Sequence, residues 1–405
     1  MMSSISTRNI KVLFWVNFFG TISFLQPVLT LFYLKNGLSE ADILIILLCW
    51  SGAVLIGEIP TGVFADRFGP RLSFIVGSSI KLSSIGVLLC AESLPMFLLF
   101  SFLNGLSVTF FSGADEALIY ESLKKDDQHH KMDQAIGNIQ SAGFVAMMIA
   151  VLFGSFLAKD LQMQEFKLLI VLSMGAYIVE FLLLFLIREP EVQLTISDNT
   201  SLRKVVEGIK VIKKAPQLLL MFLNLTLVFI PTVAVFQKFD QPLMIDAGLP
   251  VYLIGSVYAV GALLAFFSSR SIGLLHKKFT YTFLMYASGF LSAIGLVIAA
   301  MFQNQLWVML FVVLFLRWVG AIRYPIYSQL SNNMIPTYVR ATTISLLSIL
   351  DSLFDLIVFI VLIGFAREGT QGILIGAACI AMIGSFLPIK DKSLRKKQGS
   401  RAFNH

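Results

Sequence analysis

Two carboxylates four residues apart, Asp351 and Asp355, lie in the apolar run ATTISLLSILDSLFDLIVF. An ionised side chain in the middle of such a run costs at least about 2.5–3.5 kcal/mol to place in hydrocarbon, so each one there is a candidate for function. Ser345, Ser348 and Ser352 join the two acids at steps of three and four, and a helix gathers all five on one polar stripe that must face protein or water. Two close acids sharing such a stripe can hold a proton between them. Arg317, in LWVMLFVVLFLRWVGAIRYPIY, stands about 11 residues from the inner end of its run, roughly 16 Å deep at the rise of a helix. Asp351 falls at a similar depth, and an Arg317–Asp351 or Arg317–Asp355 pair lowers the cost of both charges. That pair reads equally as a site of proton coupling or charge recognition and as a fixed structural ion pair.

Other polar residues interrupt the apolar runs. Asp115 and Glu116 follow Asn104, Ser107 and Ser112 and suit a gate or a proton acceptor, or else an interfacial pairing with Arg67, Arg71 or a lysine of KKDDQHHK. Glu58, just before Pro60, reads as part of a gate, and Arg323, near Pro325, as a structural residue beside one. Glu180 and Lys81 read as structural partners. Asn17, Gln26 and Pro27, with Asn224 and Pro231, supply polar groups and bend points for a cavity, or simple packing. Enzyme chemistry has no comparable support. His129, His130, His276 and His405 show no metal-ligand spacing, and neither a nucleotide-binding G-x-x-x-x-G-K-[ST] nor a nucleophile elbow occurs. No cofactor is expected, and energy for any active process must come from an ion or solute gradient.

The elements that carry these residues are set by composition. Mean hydropathy is +0.82 and 14% of the 405 residues are charged, far below the roughly 25% of a soluble domain, which makes this a membrane protein. A span needs about 20 apolar residues, and about twelve such runs appear, with cores near 11–34, 41–64, 72–91, 94–119, 134–158, 166–187, 216–237, 251–272, 280–302, 306–328, 341–366 and 371–389. Continuous apolar runs without period-2 alternation must be helices, because backbone in lipid satisfies its own hydrogen bonds; a barrel is excluded.

The net charge of +7 is distributed by side, which points to membrane orientation and not to nucleic acid. With the N-terminus inside, alternate segments collect about 24 Lys and Arg and the opposite side about five, so both termini are expected in the cytoplasm. MMSSISTRNIK has no small-residue cleavage site and reads as a retained signal-anchor. Cys49, Cys90 and Cys379 fall inside spans and read as packing residues. Six runs precede and six follow the polar segment 188–216. This predicts an N-terminal bundle over 1–188, a connector with a basic amphipathic helix over 189–215, a C-terminal bundle over 216–390 and a basic tail over 391–405. SGAVLIGEI in the second run and VGALLAFFS in the eighth are faintly alike, as a duplicated unit would leave them.

The second and third runs are joined by GVFADRFGPR, residues 62–71. Gly62 and Gly69 permit close approach and tight reversal, and Pro70 suits a first helical turn. Asp66 has no structural need to be an acid in a loop so short, but can reach the positive end of the eleventh span at IPTYVRAT, with Pro336 near its start and Arg340 beside it. We read this as a latch between the halves. The stretch resembles the signature loop of the major facilitator superfamily, carried here by Gly62, Asp66, Arg67, Gly69 and Arg71, with Pro70 where that family has another basic residue. GEIPT and SGADEALIYESL also look like bacterial members of it. The resemblance implies an all-α fold of twelve transmembrane helices in two pseudo-symmetric six-helix bundles, a secondary transporter in which spans 1, 4, 7 and 10 line a cavity opened by alternating access. Span 4 has Asn104 where many proton-coupled members carry arginine, and span 5 lacks the glycine-proline signature of drug antiporters. The expectation is a monomeric exporter of the cell membrane that takes protons, membrane lipids and a small organic or amphipathic substrate as partners. An importer of a charged small nutrient and a non-transporting receptor or scaffold are the alternatives.

Overall fold

Every regular element among the described residues is a helix, as an apolar chain that must satisfy its own backbone requires. The computed structural model describes residues 4–190, 216–332, 335 and 340–389. The helices are α1 (Ile5–Thr21), α2 (Leu29–Lys35), α3 (Glu40–Phe68), α4 (Pro70–Leu89), α5 (Leu94–Thr109), α6 (Ala114–Lys125), α7 (Met132–Leu157) and α8 (Met163–Leu184). They continue as α9 (Pro216–Phe229), α10 (Phe236–Asp246), α11 (Ile254–Lys278), α12 (Tyr281–Met301), α13 (Leu306–Asn332), α14 (Arg340–Phe365) and α15 (Gly369–Phe386). Eleven helical stretches among these residues are long and apolar enough to cross a membrane, and the last, Leu346–Phe386, takes in α14 from Leu346 onward, a 3-10 turn at Ala366–Glu368 and α15. Large apolar side chains stay on the outside, Trp307 at 81% exposure for example, which suits a lipid solvent and not water.

The first, fourth and seventh stretches are broken, and each of these breaks has a local cause. In the first, the helix stops at Thr21 and resumes through a 3-10 turn with Pro27, whose missing N–H cannot continue an α-ladder. In the fourth, α5 and α6 are separated by a turn ending at Gly113, at φ 74°. In the seventh, Ile230–Val235 around Pro231 forms a π-helical turn between α9 and α10. The expected loop 62–71 is mostly helix: α3 runs to Phe68, Gly69 alone stands outside at φ 87° and ψ 157°, and Pro70 opens α4. No residue from Val63 to Phe68 breaks a helix, so only the glycine is needed to reverse the chain. Gly62 has open space around its Cβ position, so close helix approach is not what it provides in this conformation.

The chain divides into two compact units, Met1–Thr195 with Met244–Ala259, and Ile196–Leu243 with Val260–His405. In the first, Leu13, Val16, Phe74, Leu118 and Leu184 form one apolar cluster. The start of α11 joins it because the Gly255 N–H donates to Ser155 Oγ at 3.1 Å, an approach that a side chain at 255 would obstruct. In the second, Met221, Phe222, Met285, Ile326 and Leu330 pack together. The connector and tail fall outside the described residues apart from 189 and 190.

Candidate functional site

The second unit contains a group of buried charges. The π-helical turn at Pro231 carries the chain on into α10, which places Asp240 inside the protein with no exposed side-chain surface. Arg317, from the middle of α13, donates from Nη2 to Asp240 Oδ2 at 2.8 Å and keeps 18% of its side chain exposed. Gly261 makes room for it, since a Cβ there would lie 2.6 Å from Arg317 Cδ. Lys238 stands two residues before Asp240 on the same helix. On α14, Asp351 Oδ1 accepts from Thr226 Oγ1 of α9 at 2.8 Å, and Asp355 lies one turn further along.

Asp240, 2.8 Å from Arg317, is a partner that sequence spacing, which pointed to Asp351 or Asp355, did not suggest. Depth along a helix is legible from residue counts, but the direction in which a side chain leaves it is set by packing. Asp240 was missed because FQKFDQPLMID reads as the polar end of an apolar run; its signal is that Pro231 allows the helix to bend and continue. The polar stripe of α14 is described in part: Ser352 Oγ donates to Ser348 O at 3.4 Å, and the side chain of Ser345 lies outside the described residues.

Arg323 is a structural hub. It is 1% exposed, and its Nη1 donates to Met285 O and Ser288 Oγ at 2.7 and 2.9 Å. Its Nη2 donates to the backbone O and the Oδ1 of Asn224 at 2.8 and 2.7 Å. Asn224, expected on a cavity wall, is instead fully enclosed, with Nδ2 donating to Gly384 O at 2.7 Å. An enclosed arginine needs acceptors for its fork, and the nearest amide is recruited.

In the first unit, Asn17 Nδ2 donates to Ile139 O at 2.7 Å, joining α1 to α7, and Gln26 sits exposed in the 3-10 turn. Asn104 Oδ1 accepts from Trp50 Nε1 at 3.1 Å. Asp115 and Glu116 are exposed in the first turn of α6, where their charge complements the helix end, and Asp115 Oδ1 accepts the Glu116 N–H at 2.8 Å. Glu58 Oε1 accepts from Ser112 Oγ at 2.8 Å, linking α3 to the break in the fourth stretch. Asp66 and Arg67 are exposed in the last turn of α3, with the Arg67 guanidinium 5.3 Å from the Phe68 ring. Arg71 Nη2 donates to Phe185 O at 2.9 Å, and the Arg71 N–H to Glu189 Oε1 at 3.0 Å, an acid capping the start of α4. Residues 336–339 and the side chain of Arg340 lie outside the described residues, as do 391–405.

Family and structural comparisons agree with this architecture. The profile of the Major Facilitator Superfamily matches residues 12–358. No curated protein matches the chain by sequence. Among solved structures, a mutant form of the nucleoside transporter NupG superimposes with a TM-score of 0.75 at 12% identity, covering 93% of this chain and 98% of that one. A D-xylose-proton symporter gives 0.73 at 14%, covering 95% and 98%. A bacterial homologue of the human lysosomal transporter Spinster, in an inward-facing and unoccupied conformation, gives 0.73 at 17%, covering 95% and 96%. The likeness to these structures is one of fold, and with the profile spanning most of its length the chain belongs to the major facilitator superfamily.

Proposed function

We propose that the protein is a proton-coupled secondary transporter that moves a small organic compound of amphipathic character out of the cell by alternating access. The observation that carries this reading is the Arg317–Asp240 pair. A buried carboxylate paired with a partly exposed guanidinium can switch between two arrangements: paired and ionised, or protonated with the arginine turned toward a solute. Asp351, Asp355 and Asp115 are further proton sites. The aromatic rings of Phe14, Trp15, Phe18 and Phe19 meet edge to face along α1, and Trp15 is half exposed, which supports an amphipathic solute. Such compounds cross lipid unaided down their gradient, so a carrier with an energy source serves their removal. Import of an anionic nutrient is the second reading, favoured by the exposed part of Arg317.

In this reading the chain makes twelve passes as two bundles of six in a cell membrane, acts as a monomer and keeps both termini in the cytoplasm. Gly62, Asp66, Arg67, Gly69 and Arg71 form, with Glu58 and the start of α14 at Arg340, a latch that holds the inner side shut. The exposure of Asp66 at a helix end supports it. Flux in proteoliposomes under an imposed proton gradient is the test. Solute moving opposite to protons is the expected result, co-movement gives import, and no flux of any solute would return the protein to the receptor class. Asp66→Asn should raise the labelling of cysteines introduced on the cytoplasmic face; unchanged labelling removes the latch.

A further inference from the structure

The break in the first stretch lies in a segment that must satisfy its backbone without water, and its polar groups are met from two other helices. Between Thr21 and the 3-10 turn at Gln26 the α-ladder is interrupted. The Gly20 carbonyl accepts from Lys81 Nζ of α4 at 2.7 Å. The Phe24 N–H donates to Ser173 Oγ of α8 at 2.9 Å, and Ser173 is fully buried. Lys81 is neutralised by Glu180 Oε2 at 2.9 Å and lies 4.1 Å from the Tyr177 ring, both on α8; the two charged side chains are 16% and 4% exposed. Gly20 fits the arrangement for a steric reason, since a Cβ there would fall 2.7 Å from Glu180 Oε1.

We propose that Lys81, Glu180 and Ser173 are positioning residues: an ion pair and a hydroxyl, carried by α4 and α8, that fix where the first membrane stretch bends. A pair serving only to join α4 to α8 would have no need to engage the Gly20 carbonyl, and a bend without donors and acceptors would be lost to a continuous helix or to local opening. The inference is independent of solute and direction. Hydrogen–deuterium exchange on the full chain in lipid nanodiscs tests it. Lys81→Met leaves a buried carboxylate unpaired and lowers the overall thermal midpoint; adding Glu180→Leu removes that charge and restores the midpoint. Peptides covering Ile22–Gln26 should still exchange about tenfold faster than wild type in the double variant, because the Gly20 carbonyl remains without its donor. Ser173→Ala, which disturbs no charge, should speed exchange at Phe24 by a similar factor. Exchange within about twofold of wild type in both variants overturns the proposal and leaves an ordinary ion pair between α4 and α8. Recovery of the midpoint with persistent local opening is the outcome that a merely structural pair does not give.

Discussion

Replacing Arg317 by methionine leaves Asp240 charged, with no exposed side-chain surface and its 2.8 Å partner gone. Removing one member of a buried pair costs about 3–5 kcal/mol, and the 18% exposure of Arg317 puts this case near the lower figure, about 3 kcal/mol, because water screens part of the interaction. For a unit of this size 1 kcal/mol moves the unfolding midpoint by about 2–4 °C, so Arg317→Met should lower it by about 6–12 °C. Asp240→Leu should cost a similar amount by removing the carboxylate 2.8 Å from the guanidinium. The double variant Arg317→Met with Asp240→Leu contains neither charge and should return to within about 1 kcal/mol of wild type. Thermal unfolding in micelles, followed by intrinsic tryptophan fluorescence, reads all four proteins. If the double variant loses the sum of the two single losses, the two residues are not coupled in the folded protein, which refutes the pairing. Under the functional proposal the double variant folds and yet no longer couples flux to the proton gradient.

Arg323→Lys should cost at least about 3 kcal/mol in the same assay, since one ammonium cannot serve acceptors on both α9 and α12 that the planar fork reaches together. Gly69→Ala should cost about 1–3 kcal/mol, because φ 87° with ψ 157° is a backbone region reserved for glycine and the new methyl would meet the Glu189 carboxylate. At the first turn of α1, the Ser6 hydroxyl and then its N–H, at 2.7 Å from Asp126 Oδ2, hold the Asp126 carboxyl below its usual range. A lowered carboxyl stabilises the folded arrangement above its unfolded value and loses that contribution as pH falls through the folded one. The protection factors of the amides of residues 5–8, taken relative to the intrinsic rate at each pH, should therefore hold at neutral pH and fall as pH drops below about 4, and Asp126→Asn should abolish that dependence.

Hydropathy made the membrane stretches legible because lipid imposes one requirement, helical backbone, wherever the apolar run is long enough. It also marked Pro27 and Pro231 as bends, since proline removes a donor in any helix. Partners were less accessible. Lys81 and Glu180 were each readable as structural charges, but their shared target, the Gly20 carbonyl, exists only because α1 stops short. Arg317 was visible as a deep charge and Asp240 was not, because an acid following Phe236, Gln237, Lys238 and Phe239 looks like the start of a loop until the bend at Pro231 carries the helix onward. The stretch 62–71 was recognisable by residue type, yet its charges lie on a helix end and not in a loop, since nothing before Gly69 obliges the chain to leave the helical conformation.

The single residue between α3 and α4 has a mechanical meaning. Two torsion angles at Gly69 are all that separate a helix of 29 residues from one of 20, and the Glu189 carboxylate closes over them. There is no slack to absorb a movement. Any tilt of the end of α3 that carries Asp66 is passed as torque to α4, and so to Lys81 at its centre. Lengthening this joint by a few flexible residues should leave both rods intact while disconnecting one from the other.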